Sequence, residues 1–352
     1  MSRIPCAILG AGGWIGQHFA RLLNDHPEFQ VEALTGGKSA GRTLGELWQL
    51  ADVPVPGELG PRRLVQLAPR ELAARGVRVV FSALPGSEAG PLETELARRG
   101  IAVFSNASSH RMDPGVPLLV PEVNGPALTS RRSGPLLVTN PNCSTAGLVL
   151  PLAPLWDRLR PTEVFVATYQ ALSGAGYPGV PALSVVDNVL PFIPEEEEKM
   201  AAEASKILGF RPGNGPGQSR VLAHCVRVPS REGHLEAVTL KVRRPLPARE
   251  IVQAWESFHP LEDGRASGGL PTAPEQPVIY LPEEDRPQPL RDRWAGDPTR
   301  ARGMTVCVGR LRIDGPYVRF ILLAHNAVRG GAGGSVLNAE YARYRGALGP
   351  VR

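Results

Sequence analysis

Apolar positions in the first hundred residues fall into short unbroken runs separated by helix-length stretches of mixed polarity. Ile4–Leu9 suits a strand buried on both faces. Phe19, Leu22 and Leu23 then recur at helical spacing, predicting a helix from about Gly13 to Leu23. The strand pattern returns at Val31–Leu34, Val77–Ala83 and Ala102–Ser105, with a helix from about Gly90 to Arg99 before the last. Strands alternating with helices predict a parallel sheet. From Val138–Cys143 onward the pattern changes. Ser144–Asp157 reads as a helix, followed by longer strands at Glu163–Gln170, Leu222–Val228, Glu236–Val242, Thr305–Ile313 and Tyr317–Ala324. Helices are expected over Val180–Leu190, Glu195–Gly209 and Gly330–Tyr344. With so few crossover helices, the second half predicts a mixed, largely antiparallel sheet. Arg211–Ser219 and Asp263–Gln276, rich in Gly and Pro, read as surface loops or subunit arms. There is no internal repeat.

At 352 residues the chain has room for two domains. Its 42% hydrophobic and 21% charged residues suit a globular protein with a substantial core. Gly 39 and Pro 36 exceed average usage, but no G-X-Y period accompanies them, which excludes collagen. No apolar run could cross a bilayer, and the first residues lack the order of a signal peptide, so a cytoplasmic location is expected. The four cysteines (Cys6, Cys143, Cys225, Cys307) have neither a disulfide nor a zinc spacing, and no metal is expected. The net charge of +5 comes from scattered arginines without a basic run, which argues against nucleic acid or a membrane as partner.

Two places carry chemistry. Gly10-Ala11-Gly12-Gly13-Trp14-Ile15-Gly16 joins the first strand to the first helix, where backbone N–H groups approach a pyrophosphate. The spacing is not a strict G-x-G-x-x-G. After the second strand the chain offers Thr35-Gly36-Gly37-Lys38-Ser39, a cation and no carboxylate, which suits a ribose 2′-phosphate and hence NADP. The second place is Thr139-Asn140-Pro141-Asn142-Cys143-Ser144, where a cysteine meets a helix N-terminus that would lower its pKa. Cys6, Cys225 and Cys307 stand in apolar strand patterns and read as core residues. Among seven histidines, His234 stands just after the Arg231-Glu232-Gly233 turn, within reach of a cleft as general acid/base. Arg227 lies near the end of the preceding strand, able to clamp a carboxylate. On these residues alone, a catalytic Cys143 and a core Cys143 are equally open, as are a functional and a solvent-exposed His234.

Five stretches carry a resemblance: NASSHRMDPGVPLLVPEVN (106–124), VTNPNCSTAGLVLPL (138–152), YQALSGAGYPGVPAL (169–183), CVRVPSREGHLEAV (225–238) and HNAVRGGAGGSVLNAE (325–340). In order and over nearly the whole chain, they resemble the aspartate-semialdehyde dehydrogenase family, in the branch typical of archaea, fungi and some bacteria. The resemblance implies an α/β protein with an N-terminal Rossmann-type dinucleotide-binding domain over 1–142, completed by a C-terminal helix at 326–352. An α+β catalytic and dimerisation domain would span 143–325.

It further implies that Cys143 carries a thioacyl intermediate, that His234 is the general acid/base and that Gln170 orients the substrate. Arg227 would bind the α-carboxylate, while Glu196 and Lys199 would meet the substrate amino group and the phosphate. Arg111 and Asn142 would complete the phosphate site. Choosing Glu196 among Glu195–Glu198 depends on register, and Arg111 on the alignment of Ser108-Ser109-His110. NADP would contact Gly10, Gly12, Gly13, Trp14, Ile15, Gly16, Thr35, Lys38, Ser39, Ser82, Ala83, Leu84, Pro85, Ser173, Gly174 and Asn338. The implied reaction is NADPH-dependent reduction of L-aspartyl 4-phosphate to L-aspartate 4-semialdehyde, reversible, in lysine, threonine and methionine synthesis, by a homodimer or homotetramer. N-acetyl-glutamyl-phosphate reductase shares the layout, but its cysteine motif reads Asn-Pro-Gly-Cys-Tyr, unlike the one here. A malonyl-CoA reductase of the same branch is the close rival, since it shares the thioester step. A non-catalytic dinucleotide sensor or nucleic-acid-binding protein is the distant one.

Overall fold

The computed structural model describes residues 3–128, 136–215, 217–297 and 300–349. The first half builds one sheet from β1 (Ile4–Leu9), β2 (Phe29–Leu34), β3 (Val79–Ser82), β4 (Ala102–Ser105) and β5 (Leu137–Thr139). Their order is β2-β1-β3-β4-β5 and every pairing is parallel. Both faces are covered, which is why β3 and β4 are buried at every position. The helix Trp14–Leu23 packs through Phe19, Leu22 and Leu23, the positions its periodicity marked. The helix expected from Gly90 begins earlier, at Gly86, and β3 is shorter than its apolar run.

The second half forms a seven-stranded sheet from β6 (Glu163–Gln170), β7 (Arg211–Pro212), β8 (Gln218–Arg227), β9 (His234–Lys241), β10 (Val278–Leu281), β11 (Val306–Asp314) and β12 (Tyr317–Ala324). The order is β10-β11-β12-β9-β6-β8-β7; the pairs β11–β12, β12–β9 and β9–β6 are antiparallel, while β10–β11, β6–β8 and β8–β7 are parallel. One face packs on the helix Cys143–Leu159, in which every residue from Ser144 to Leu152 is buried. Its apolar residues point all round because strands lie on one side and the helices Glu196–Leu208 and Ala248–Glu256 on others. Burial of Leu148, Leu150, Leu152 and Leu155 contributes about 1.5–3 kcal/mol each, which outweighs the cost of Pro151 and Pro154 inside the helix.

Three expectations fail for local reasons. Only Ala182–Val185 of the Val180–Leu190 segment is helical; Val185 is buried but Leu183 is 94% exposed, with Val186 and Val189 also exposed, so this arm packs through one residue rather than along a helix face. Asp263–Gln276 is not a surface loop. It contains the helix Glu262–Ala266 and sends Leu270 and Ala273 into the core of the first sheet, while buried Thr272 donates from N–H and hydroxyl to Glu340. The closing helix starts at Gly333, after one wide turn over Val328–Ala332. Arg211–Ser219 includes the edge pairing of β7 with β8. The helix Gly333–Tyr344 packs against Trp14–Leu23 and β4 beside the first sheet, far from β12 in the core it joins.

At the β1 turn, Gly10 has φ of +71°, and a Cβ on Gly16 would stand 2.1 Å from the Gly10 carbonyl oxygen. Neither atom can move without unmaking the turn. Gly16→Ala is expected to lower stability by about 1–3 kcal/mol, read as an earlier midpoint in urea denaturation.

Candidate active site

The two sheets meet at a cleft of about 510 Å³ lined from both sides. Gly13, Trp14, Ile15, Ala83, Leu84 and Pro85 line it from the first sheet; Cys143, Gln170, Ser173, Gly174, Glu196, Lys199 and Arg227 line it from the second. Arg111, Asn142, Asn326, Gly330 and Gly331 close it.

Cys143 is the first residue of its helix. Asn142 caps that helix, its Oδ1 accepting from the amides of Ser144 at 2.9 Å and Thr145 at 3.4 Å. The Cys143 Sγ lies 3.1 Å from His234 Nε2. His234 opens β9 directly after Gly233, whose φ of +94° suits glycine, and it is fully buried. The Ala171 amide donates to His234 Nδ1 at 3.0 Å. Gly330 crosses Cys143 so closely that a Cβ there would lie 2.6 Å from the Cys143 Cβ.

Of the four glutamates, Glu196 is the one aimed at the cleft. Its carboxylate accepts from Asn142 Nδ2 at 2.8 and 2.9 Å and from Gln170 Nε2 at 3.1 Å. Glu195 pairs with Lys199 at 2.8 Å, and Glu197 accepts the Cys225 amide. Arg227 donates from Nη1 to the Ala171 carbonyl at 2.8 Å, and burial lowers its pKa. Arg111 reaches the cleft with its charge already matched by Glu203 at 2.9 Å.

The thiol is not poised as a thiolate. Burial, and then the charge of Glu196, push the Cys143 pKa up to about 12, outweighing Arg227, Arg111 and the Ser144 amide. Burial and the Arg227 charge push His234 down to about 3. The expected lowering by the helix N-terminus is present and is overridden. At rest the pair is a neutral thiol beside a neutral imidazole.

The glycine turn suits a dinucleotide. Gly13 begins the helix Trp14–Leu23 with no side-chain cap and no acidic residue in its first turn, so nothing competes with an anion for those amides. Lys38 is exposed beyond β2, and the Ser39 hydroxyl lies 3.1 Å from where a Gly12 Cβ would stand. Gly10, Gly12 and Gly16 shape the turn, while Thr35 and Ser82 are buried at strand ends. Asn338 is buried and donates to the Leu119 carbonyl at 3.2 Å, while from the C-terminal segment the cleft itself receives Asn326, Gly330 and Gly331.

Sequence reasoning missed Glu203, whose carboxylate accepts the Asn142 amide at 2.6 Å as well as Arg111. It also missed Asn326, which accepts the Gly233 amide and donates to Ser173 Oγ. Glu236, fully buried one strand step beyond His234, faces Gly147 one helical turn beyond Cys143. Burial, reinforced by Glu196, raises its pKa well above the carboxylate range. No spacing signal marks these three. Among the described residues no cluster of His, Cys, Asp and Glu could hold a metal ion, and no helix is long and apolar enough to cross a membrane.

Residues 5–131 match the model of the semialdehyde dehydrogenase NAD-binding domain, and 152–329 that of the semialdehyde dehydrogenase dimerisation domain. The chain is 42% identical to an aspartate-semialdehyde dehydrogenase of Methanothermobacter thermautotrophicus, covering 96% of this chain and 98% of that protein. It is 37% identical to a malonyl-CoA reductase (NADP) of Metallosphaera sedula, covering 96% of each. The crystal structure of the Candida albicans aspartate-semialdehyde dehydrogenase with NADP superposes with a TM-score of 0.84 at 31% identity, covering 98% of this chain and 99% of that one.

A thiol with a pKa near 12 is expected to alkylate slowly at neutral pH. The rate of Cys143 modification by iodoacetamide should climb about tenfold per pH unit from 6 to 9 without a plateau. Mass-spectrometric time courses at each pH check this.

Proposed function

The chain belongs to the semialdehyde dehydrogenase family, and on that premise we propose which residues carry its reaction. The activity is NADPH-dependent reduction of L-aspartyl 4-phosphate to L-aspartate 4-semialdehyde, reversible, with a thioacyl intermediate, in the synthesis of lysine, threonine and methionine. The observation that carries the assignment of roles is the 3.1 Å approach of Cys143 Sγ to His234 Nε2, with Glu196 and Arg227 facing the same cleft.

Cys143 attacks the acyl carbon; the carbon–oxygen bond to phosphate breaks and a thioester forms on sulfur. NADPH, when bound, supplies the hydride that reduces this thioester. His234 handles the proton traffic at the sulfur and at the substrate oxygen while the thiohemiacetal collapses to the aldehyde. Arg227 holds the α-carboxylate and Gln170 orients the substrate. Glu196 meets the substrate ammonium, a role supported by its carboxylate lining the cleft. Lys199, Arg111 and Asn142 hold the phosphate, with Asn142 also capping the nucleophile helix. A malonyl group has a carboxylate but no ammonium, so the facing Glu196 favours the aspartyl substrate over malonyl-CoA.

For NADP, Gly10, Gly12, Gly13 and Gly16 shape the turn, Trp14 and Ile15 begin the helix, and Thr35, Lys38 and Ser39 take the 2′-phosphate. Ser82, Ala83, Leu84 and Pro85, with Ser173 and Gly174, border the nicotinamide side. Residues 1–142 with 326–352 make the NADP-binding domain and 143–325 the catalytic and dimerisation domain, a division supported by the return of Gly333–Tyr344 to the first core. The protein pairs as a homodimer. The open face of the second sheet, with Phe165, Tyr169 and Leu222 exposed, is the surface for it, and the apolar arm ending at Phe192 extends it. Association of two dimers into a tetramer is the further reading, separable by light scattering. Four free thiols suit a reducing, cytoplasmic location.

Phosphate-dependent reduction of NADP with aspartate semialdehyde is the expected activity, abolished in Cys143→Ala; turnover with malonyl-CoA alone would reverse the substrate assignment. Arg227→Leu, losing a charged hydrogen bond of about 1.5–3 kcal/mol, should raise the KM for the semialdehyde roughly 10- to 150-fold in steady-state kinetics.

A further inference from the structure

The three groups assigned to the phosphate are each engaged by a carboxylate. Arg111, itself buried, donates from Nη1 to Glu203 at 2.9 Å and from Nη2 to the Asn106 carbonyl at 2.8 Å. The Lys199 ammonium pairs with Glu195 at 2.8 Å. The Asn142 side-chain amide donates to the Glu196 carboxylate at 2.8 and 2.9 Å. All three carboxylates come from one element: Glu196 and Glu203 stand on the helix Glu196–Leu208, and Glu195 is its N-cap.

Arg227, assigned to the α-carboxylate, is treated differently. It is as deeply buried as Arg111, yet its guanidinium donates to the neutral Ala171 carbonyl and forms no ion pair with a carboxylate among the described residues. The two anionic ends of the substrate make different demands. The carboxylate stays on the molecule throughout, whereas phosphate must depart once the thioester exists and must re-enter in the reverse direction. Guanidinium–phosphate contacts are strong and bidentate, so two unmatched cations would retain the anion. A carboxylate beside each cation reduces that attraction. Glu203, with its side chain 2% exposed, is little screened by water and has the larger effect; Glu195, at 76%, has the smaller.

We propose, resting on the phosphate assignment above, that Glu203 is a counter-charge that keeps phosphate exchangeable: paired with Arg111, it weakens the phosphate subsite without touching the anion, and Glu195 does the same at Lys199 to a smaller degree. Glu203 is a positioning residue, acting through Arg111. Its other oxygen accepts the Asn142 amide at 2.6 Å, which anchors the charge beside the subsite. Arg111 Nε is buried without a partner, so the guanidinium keeps a donor for the anion while its charge is offset. Glu196 and Glu203 lie about two turns apart on the same helix face, and that spacing lets one helix present the group for the substrate ammonium and the charge that loosens the phosphate.

Inorganic phosphate is the probe, read two ways: its KM in the oxidation of aspartate semialdehyde by NADP, and its Kd by isothermal titration calorimetry on the full chain without substrate. Glu203→Gln keeps the size and one acceptor oxygen for the Asn142 amide and removes the charge. It should lower both constants about 10-fold, even as kcat falls. Glu203→Asp keeps the charge and should hold the phosphate KM within about threefold of wild type. Phosphate binding that is unchanged or weaker in Glu203→Gln, or equally tightened in Glu203→Asp, overturns the proposal; mere loss of packing gives weaker binding, because a displaced Arg111 holds phosphate less well. Should Glu203→Gln fail to fold, the exposed Glu195→Gln decides. Its phosphate KM should fall about two- to threefold near 10 mM salt and return to the wild-type value near 0.5 M, and no change at low salt overturns the proposal. Wild-type turnover of the semialdehyde that needs no phosphate would instead overturn the underlying assignment, with the calorimetric comparison still reading the charge pair.

Discussion

A single buried carboxylate holds this site together. Glu203, on the helix Glu196–Leu208, accepts the Asn142 amide and the Arg111 guanidinium at once. Asn142 is the cap of the helix Cys143–Leu159, and Arg111 comes from the loop after β4, so one residue joins both sheets and the start of that helix. Lys206, one turn further along the same helix, donates to the carbonyls of Arg111, Asp113 and Val116 and fixes that loop from behind. A buried pair of this kind adds little net stability, because desolvation offsets most of the attraction. Removing one partner is another matter, since the other charge is then stranded. The pair's contribution here is geometric: it sets where the cleft's two walls meet.

Around this joint the site avoids net charge at Cys143 and His234. Thiol and imidazole are both neutral at rest, and the deeper Glu236 is driven toward its acid form by burial and by Glu196. The cations stand at the rim, where an anionic substrate arrives: Lys199 is half-exposed, while Arg111 is already matched by Glu203. Arg227 is buried, with one nitrogen committed to the Ala171 carbonyl and the rest of the guanidinium on the cleft. An acyl phosphate with a carboxylate therefore meets positive charge without forcing the sulfur to ionise beforehand.

Much of this was legible in the chain. The Ile4–Leu9 run, the glycine turn and the spacing of Phe19, Leu22 and Leu23 identified the first sheet because strand burial and helix periodicity are local. Cys143 was marked by Asn-Pro-Asn before it, and His234 and Arg227 by their places around one turn. The arm at Val180–Leu190 departs from its pattern because its apolar residues imitate a helix face, yet only Val185 among the large ones is buried within the chain. Asp263–Gln276 was misread in the opposite sense: a Gly- and Pro-rich composition hid Leu270 and Ala273, which are buried by residues far away in sequence. Asn338 lies in a motif that the resemblance makes cofactor-facing, and only the fold shows that its amide also donates to the Leu119 carbonyl.

By itself the sequence determined the two-sheet organisation and the glycine turn, and singled out Cys143, His234 and Arg227 as candidates, because patterning and short motifs act over a few residues. The tertiary structure alone decided which of four glutamates faces the cleft, which carboxylate ties Arg111 to Asn142, and which ring nitrogen of His234 meets the sulfur. Each of these depends on groups brought together across 60 residues or more, or on the phase of a helix. The protonation of Cys143 belongs with them: a helix N-terminus argues for a thiolate, and only the depth of burial and the position of Glu196 reverse that sign.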